Sequence, residues 1–249
     1  MSRRGNRYIL RCDVVMEMEQ MSVIVPEMMT IPEGDFMMGS ETGGENEAPV
    51  HRVWVDVFAI AKYAVTNGDY AHFLEAMNHE LPPYWKDAKF QHADQPVVAI
   101  RWFDAVAYCD WLSGETGLLY RLPTEAEREK ASRGGLEGLA YPWGDRLLAD
   151  HQGGRDTSLD RVGLGEPNGF DLYDMSGGVH EWCADYYDPS YYAVSPDHNP
   201  QGPECGARRV ARGGSWRHNV RYTRCAARSS LAPDKQFSDF GFRCAMTIS

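Results

Sequence analysis

What is missing from these 249 residues narrows the reading before any motif is considered. No stretch approaches the roughly 18 consecutive apolar residues of a membrane span, so no membrane partner is expected. The six cysteines, at positions 12, 109, 183, 205, 225 and 244, contain no C-x-x-C, which removes the usual zinc and dithiol spacings. Positive charge is scarce. Lys and Arg number 25 against 36 Asp and Glu, and the formal net charge of −11 argues against a phosphate-binding surface, and so against nucleic acid. Repeats, low-complexity tracts and linkers are absent too, which favours one domain. The first 20 residues have an early Arg pair but no apolar core and no small-residue cleavage site. They do not read as a secretory leader, and a cytoplasmic protein is expected. Residues 1–22 read as an N-terminal extension and 23–249 as a single domain.

What is present is core-forming. Seven Trp and thirteen Tyr accompany a chain long enough to bury a core without disulfides or metal. The run "HRVWVDVFAIAKYAVT" alternates, is rich in Val and predicts a strand. A helix should follow, since Thr66 and Asp69 make an acidic capping box and Tyr70, Phe73, Leu74 and Met77 form an inward stripe. "WFDAVAYCDWLSGETG" predicts a second helix with Ala105, Tyr108, Cys109 and Leu112 inward and Gly114 or Gly117 near its end. A third is capped by Thr124, boxed by Glu127 and stopped by Gly134. It is so charged that only a narrow buried stripe is expected, with Arg128 in solvent. From Gly134 to Gly214 the chain is Gly, Pro, Asp, Asn and aromatics. Loops that long and that aromatic need something to pin them, and a metal ion is the obvious candidate.

In order along the chain stand "IPEGDFMMGSE", "EAPVHRVWVDVFAIAKYAVTNGDY", "FDAVAYCDWLSGETGLLYRLPTEAE", "YPWGD", "PNGFDLYDMSGGVHEWC", "RVARGGSW" and "GFRCA". Any one is weak; the ordered set, from about Pro26 to the C-terminus, resembles the formylglycine-generating enzyme (sulfatase-modifying factor) family. The resemblance implies an α+β, C-type-lectin-like fold with little regular secondary structure and long loops pinned by calcium. It also implies an activity: oxidation of a sulfatase cysteine to formylglycine with oxygen and a copper held by two cysteines. Those cysteines should follow Gly213-Gly214-Ser215-Trp216 and precede Cys225-Ala226-Ala227-Arg228. The eight residues between contain none, and His218 stands where the first would be. By the same resemblance Cys225 is structural, its partner position being Ser132, and Cys109 with Cys244 match a disulfide pair. Copper(I) needs soft ligands, so formylglycine generation is not expected.

Other departures gather nearby. Arg128 replaces the family's usual Trp, and Gly178-Val179-His180-Glu181-Trp182 replaces "NVWEW". If the loops converge as in the family, His180 and His218 become neighbours over a pocket beneath Ser215 and Trp216. Candidate catalytic residues are therefore His218, Ser215 and His180. Trp216, Arg217 and Tyr222 are candidate substrate contacts. The imidazoles would serve as an acid–base pair or as ligands to a transition metal replacing the thiols, a third donor coming from Glu181 or a backbone group. In "DMSGGVHE", Asp174 and Glu181 are hard donors flanking a glycine turn. The resemblance assigns calcium to Asp174, the carbonyls of Gly177 and Val179, and Glu181, with a second calcium near Asp150 and His151 and Asp156 as a further donor. The function that follows is an oxidative tailoring enzyme of small-metabolite biosynthesis, taking a small-molecule substrate or peptide ligand. The alternatives are a noncatalytic C-type-lectin-like binding module, retroelement-diversified receptors included, and an inactive paralogue binding sulfatase-type peptides or the active enzyme.

Overall fold

The Val-rich run after His51 forms two strands instead of one. In the computed structural model, which describes residues 24–145 and 158–248, it breaks at Asp56 into β3 (His51–Val55) and β4 (Phe58–Ala61). Asp56 is drawn out of any ladder by a distant loop. Its backbone N–H donates to Asn199 Oδ1 at 2.9 Å, and its carboxylate accepts from the Trp54 indole at 3.1 Å. The two halves then join different sheets. β3 pairs with β2 (Gly34–Met38), while β4 lies between β1 (Met28–Ile31) and β10 (Ala245–Thr247), which also pairs with β5 (Tyr120–Arg121). All four residues of β4 are buried, so no polar alternation marks it.

The predicted helices form. Thr66 and Asp69 close the capping box of α1 (Asn67–Met77), and Tyr70, Phe73 and Leu74 are buried. Met77 does not complete the stripe. It is 55% exposed because the chain leaves the helix in a left-handed turn at Asn78. α2 (Trp102–Thr116) buries Ala105, Tyr108, Cys109 and Leu112 and ends at Gly117 (φ 72°). Between these helices the rings of Tyr70, Phe73, Tyr108 and Phe242 pack with centroids 5.1–6.3 Å apart, each pair worth about 0.5–1.5 kcal/mol beyond its buried area. Cys109 and Cys244, at the junction of α2 with the C-terminal strand, are free thiols with sulfurs 3.8 Å apart. A third sheet, in the order β8-β7-β6-β9, is built from β6 (His180–Tyr186), β7 (Arg209–Arg212), β8 (Arg228–Leu231) and β9 (Phe240–Gly241), the β6–β9 pair being parallel. Among the described residues no helix is long and apolar enough to cross a membrane.

α3 (Glu125–Arg133) corrects the expectation of a narrow stripe, for all nine of its residues are buried. Its charges face partners, not water. Glu129, 0% exposed, is held by Arg133 Nη2 at 2.6 Å and by Arg212 of β7, and it accepts the Gly39 N–H at 2.9 Å. Glu125 takes Arg212 at 3.0 Å and both arms of Arg228 at 2.7 and 2.8 Å. The same guanidiniums tie loop carbonyls. Arg212 donates to Cys225, Arg133 to Gly39, Arg228 to Asn46, and Arg243 to Ala61, Lys62 and Tyr173. Within the long 134–214 region, the Leu139, Tyr173, Met175 and Asp188 carbonyls accept from Arg133, Arg243, Arg128 and Arg228.

Burial alone would raise the pKa of Glu129, but Arg212 and Arg133 outweigh it and hold the group below its ordinary 4.5. A carboxyl depressed in the native state binds its proton first in the unfolded chain. Its contribution is fully present above about pH 4.5 and is lost as pH falls through the lower native value. Urea unfolding followed from pH 7 to pH 3 should show stability falling below about pH 4.5. A Glu129→Gln protein should lose less over that range; a decline of equal size would remove Glu129 from the explanation.

Candidate functional site

Two glycine turns make the site. Gly213 and Gly214 have φ of 89° and 68°, and Gly177 and Gly178 have φ of 94° and 65°, values that favour glycine. A side chain at Gly214 would meet the Tyr222 carbonyl at 2.7 Å, and one at Gly213 the Arg128 guanidinium at 2.9 Å. The turns are stitched together by Gly177 N–H to the Gly213 carbonyl (2.8 Å) and Trp216 N–H to the Gly178 carbonyl (2.7 Å). That pairing sets His180, at the start of β6, beside His218, whose own N–H is held by the Ser215 carbonyl at 2.9 Å.

The two imidazoles meet. His180 Nε2 lies 3.2 Å from His218 Nδ1, with ring centroids 4.9 Å apart and planes at 66°. His180 is 4% exposed, tilted against Phe240, and its Nδ1 finds no partner. Burial and then His218 lower its pKa from 6.5 to about 4, so it is neutral at pH 7. The parallel β6–β9 register adds a third group, the His180 N–H donating to the Asp239 carbonyl at 2.8 Å. Asp239 is buried, its carboxylate accepts from Ser215 Oγ at 3.0 Å, and ligand atoms of His180, His218 and Asp239 all lie within 4.8 Å of one another. The sequence reading missed Asp239. Its only linear signal is an acid two residues before "GFR", and its nearness to His180 comes from a strand pairing more than 50 residues long in sequence.

Both histidines line a cleft of about 590 Å³. Its walls include Thr42, Gly43, Tyr222, Arg221, Arg224 and Arg228. Glu47 clamps Arg224 at 2.7 Å and Glu125 holds Arg228, whereas Arg221 is exposed, donates to the Tyr222 hydroxyl at 2.6 Å and faces no carboxylate partner among the described residues. Tyr222 thus lines this cleft. Trp216, Arg217 and Ser215 do not. With its N–H committed to Gly178, Trp216 turns the other way, packs 6.0 Å from Phe90, and lines with Arg217 a separate hollow of about 350 Å³. Ser215 is sealed behind the histidines, holding Asp239.

The glycine turn with its histidine neighbour, the ordered sheets and the buried arginine frame invite comparison with known proteins. A sequence model described as "Sulfatase-modifying factor enzyme 1-like domain" matches residues 14–248. The chain belongs to that family. It is 35% identical to the formylglycine-generating enzyme of Streptomyces coelicolor, over 86% of this chain and 87% of that one. It is also 35% identical to a serine/threonine-protein kinase, pkn1, of Chlamydia pneumoniae, over 91% of this chain but only 39% of the relative's length. Among solved structures, PvdO from Pseudomonas aeruginosa superimposes with a TM-score of 0.80 at 30% identity, over 90% and 95% of the two chains.

Against this sulfatase-modifying-factor framework the metal expectations are tested by the donors present. Copper between two thiolates does not fit. The only sulfur between Trp216 and Arg228 is Cys225, which is buried and accepts the Ser132 hydroxyl at 3.4 Å. Calcium on the expected four donors does not fit either. Asp174 accepts the Gly163 N–H at 2.8 Å, and burial raises its pKa. Glu181, however, gives one oxygen to Arg128 (2.8 Å) and Arg243 (2.7 Å) and the other to Arg243 (2.8 Å). A divalent ion on that carboxylate would face two guanidiniums, both almost fully buried. Glu181 is for the same reason no third donor to the histidines. Arg128, expected in solvent, is 1% exposed and also donates to the Met175 carbonyl at 3.2 Å. Asp150, His151 and Asp156 lie outside the described residues.

Proposed function

We propose that this sulfatase-modifying-factor-like protein is a tailoring enzyme for a small anionic metabolite, not a sulfatase activator. The observation that carries the reading is the paired His180 and His218 at the base of a cleft walled by Arg221 and Tyr222, in the segment where the family's cysteine pair would stand. Arg221 supplies a guanidinium with no carboxylate partner among the described residues for a carboxylate or similar acid, oriented by Tyr222, whose hydroxyl takes one arm and whose ring lies 4.6 Å from it. The substrate's reacting end then lies against the imidazoles. The cleft's volume falls within the usual range for small-molecule sites.

Two measurements test it. A sulfatase-motif peptide, incubated with copper and reductant, should keep its cysteine; a mass drop matching thiol-to-aldehyde conversion would show a sulfatase activator after all. In a thermal-shift screen of small organic acids, hits should lose at least about tenfold in affinity with Arg221→Ala, roughly one charge-assisted hydrogen bond. Hits insensitive to Arg221→Ala would place the ligand outside this cleft.

A further inference from the structure

We infer that His180, His218 and Asp239 form a binding site for one divalent first-row transition-metal ion, with its open positions facing the cleft. This rests on the cleft being the substrate site and assigns it a cofactor. The geometry comes first. Two donors about 2.1 Å from one ion, separated by 90–110°, stand about 3.0–3.4 Å apart, and the facing nitrogens of His180 and His218 are 3.2 Å apart. The third donor lies within 4.8 Å, so closing on an ion requires the carboxylate to move inward by roughly 1 Å, a side-chain rotation, to reach a common coordination sphere.

The surroundings are those of a constructed site. Backbone pairing fixes two of the ligand-bearing residues to each other, through His180 N–H on the Asp239 carbonyl. Ser215 Oγ orients the carboxylate from behind at 3.0 Å, and the Arg217 guanidinium stands 3.9 Å from its other oxygen. A supporting hydrogen bond such as that from Ser215 aims a metal's ligand. As ligands to one ion, two imidazoles and one carboxylate bring a single negative charge, which a dication exceeds by one, leaving positive charge toward an anionic substrate. Two histidines and a carboxylate suit iron(II), zinc or cobalt(II) better than calcium, which prefers oxygen alone. His218 is part-exposed on the cleft side while His180 and Asp239 are buried, so the vacant coordination positions point where a substrate would enter.

The test uses full-length protein, stripped with chelator and titrated with cobalt(II) alone. One equivalent should bind, with visible d–d absorption of nitrogen and oxygen ligation and a rise in melting temperature. Asp239→Asn should weaken binding at least about tenfold, and His218→Ala should abolish the absorption. His218 lies at the cleft edge, so its variant decides the matter even if Asp239→Asn fails to fold. No bound cobalt in the wild type, or an unchanged spectrum with His218→Ala, would overturn the site. In that case an organic-acid hit that remains sensitive to Arg221→Ala would leave the substrate cleft standing, so the two readings fail separately.

Discussion

Replacing Glu129 with alanine is expected to cost about 3–5 kcal/mol of folding stability, a loss visible as a fall in melting temperature of roughly 6–20 °C. The size follows from what is stranded. Arg133 loses its carboxylate partner and Arg212 is left with Glu125 alone, and both are buried. An unpaired guanidinium there has no route to water, and the Gly39 N–H loses its acceptor as well. Helix propensity opposes this only weakly, since Glu and Ala differ by a few tenths of a kcal/mol. The control is the surface pair of Arg52 and Asp35. Its separation is similarly short, 2.7 Å, but it is 71% and 38% exposed, and Arg52→Ala should cost less than about 1 kcal/mol. Urea denaturation of the three proteins checks both. A Glu129→Ala loss no larger than that of Arg52→Ala would mean that water reaches the interior of α3.

The second large effect concerns Arg128. Its alanine variant should lose about 3 kcal/mol or more, while calcium added to chelator-stripped wild type should leave the melting temperature within about 1 °C. Arg128 links α3 to the Asp174–Glu181 turn twice, through the Glu181 carboxylate and the Met175 carbonyl. Its removal leaves Glu181 to Arg243 alone and empties a space the size of a guanidinium in the interior. If the turn is held by that side chain, calcium has nothing to add. A melting temperature that falls with chelator and recovers with calcium would return the turn to the metal, and a tolerant Arg128→Ala would do so independently.

Reading the linear sequence succeeds where structure is decided locally. Capping boxes at Thr66 and Thr124 and the stop at Gly134 are local events, settled within four residues, and all form as read. The aromatic stripe of α1 is legible because helical period alone decides which side faces the core. α3 misled for the opposite reason. A run such as Glu-Ala-Glu-Arg-Glu-Lys reads as solvated because charge normally seeks water, and only distant arginines on β7 and β8 make burial affordable. The strand break at Asp56 was hidden likewise, since the residue that draws it out of register, Asn199, lies 143 positions away.

By itself, then, the sequence determined the family and its α+β framework, the helix ends, the absence of copper-binding thiolates, and the pairing of His180 with His218 by way of the resemblance. Tertiary structure alone decided the chemistry around that pair. It brought Asp239 to His180 through a parallel strand pairing, turned Trp216 into a separate hollow, and gave both oxygens of Glu181 to Arg128 and Arg243. The physical reason is range. Caps and periodicity depend on neighbours along the chain, but whether a buried carboxylate meets a guanidinium, a metal or water depends on which distant segment folds against it.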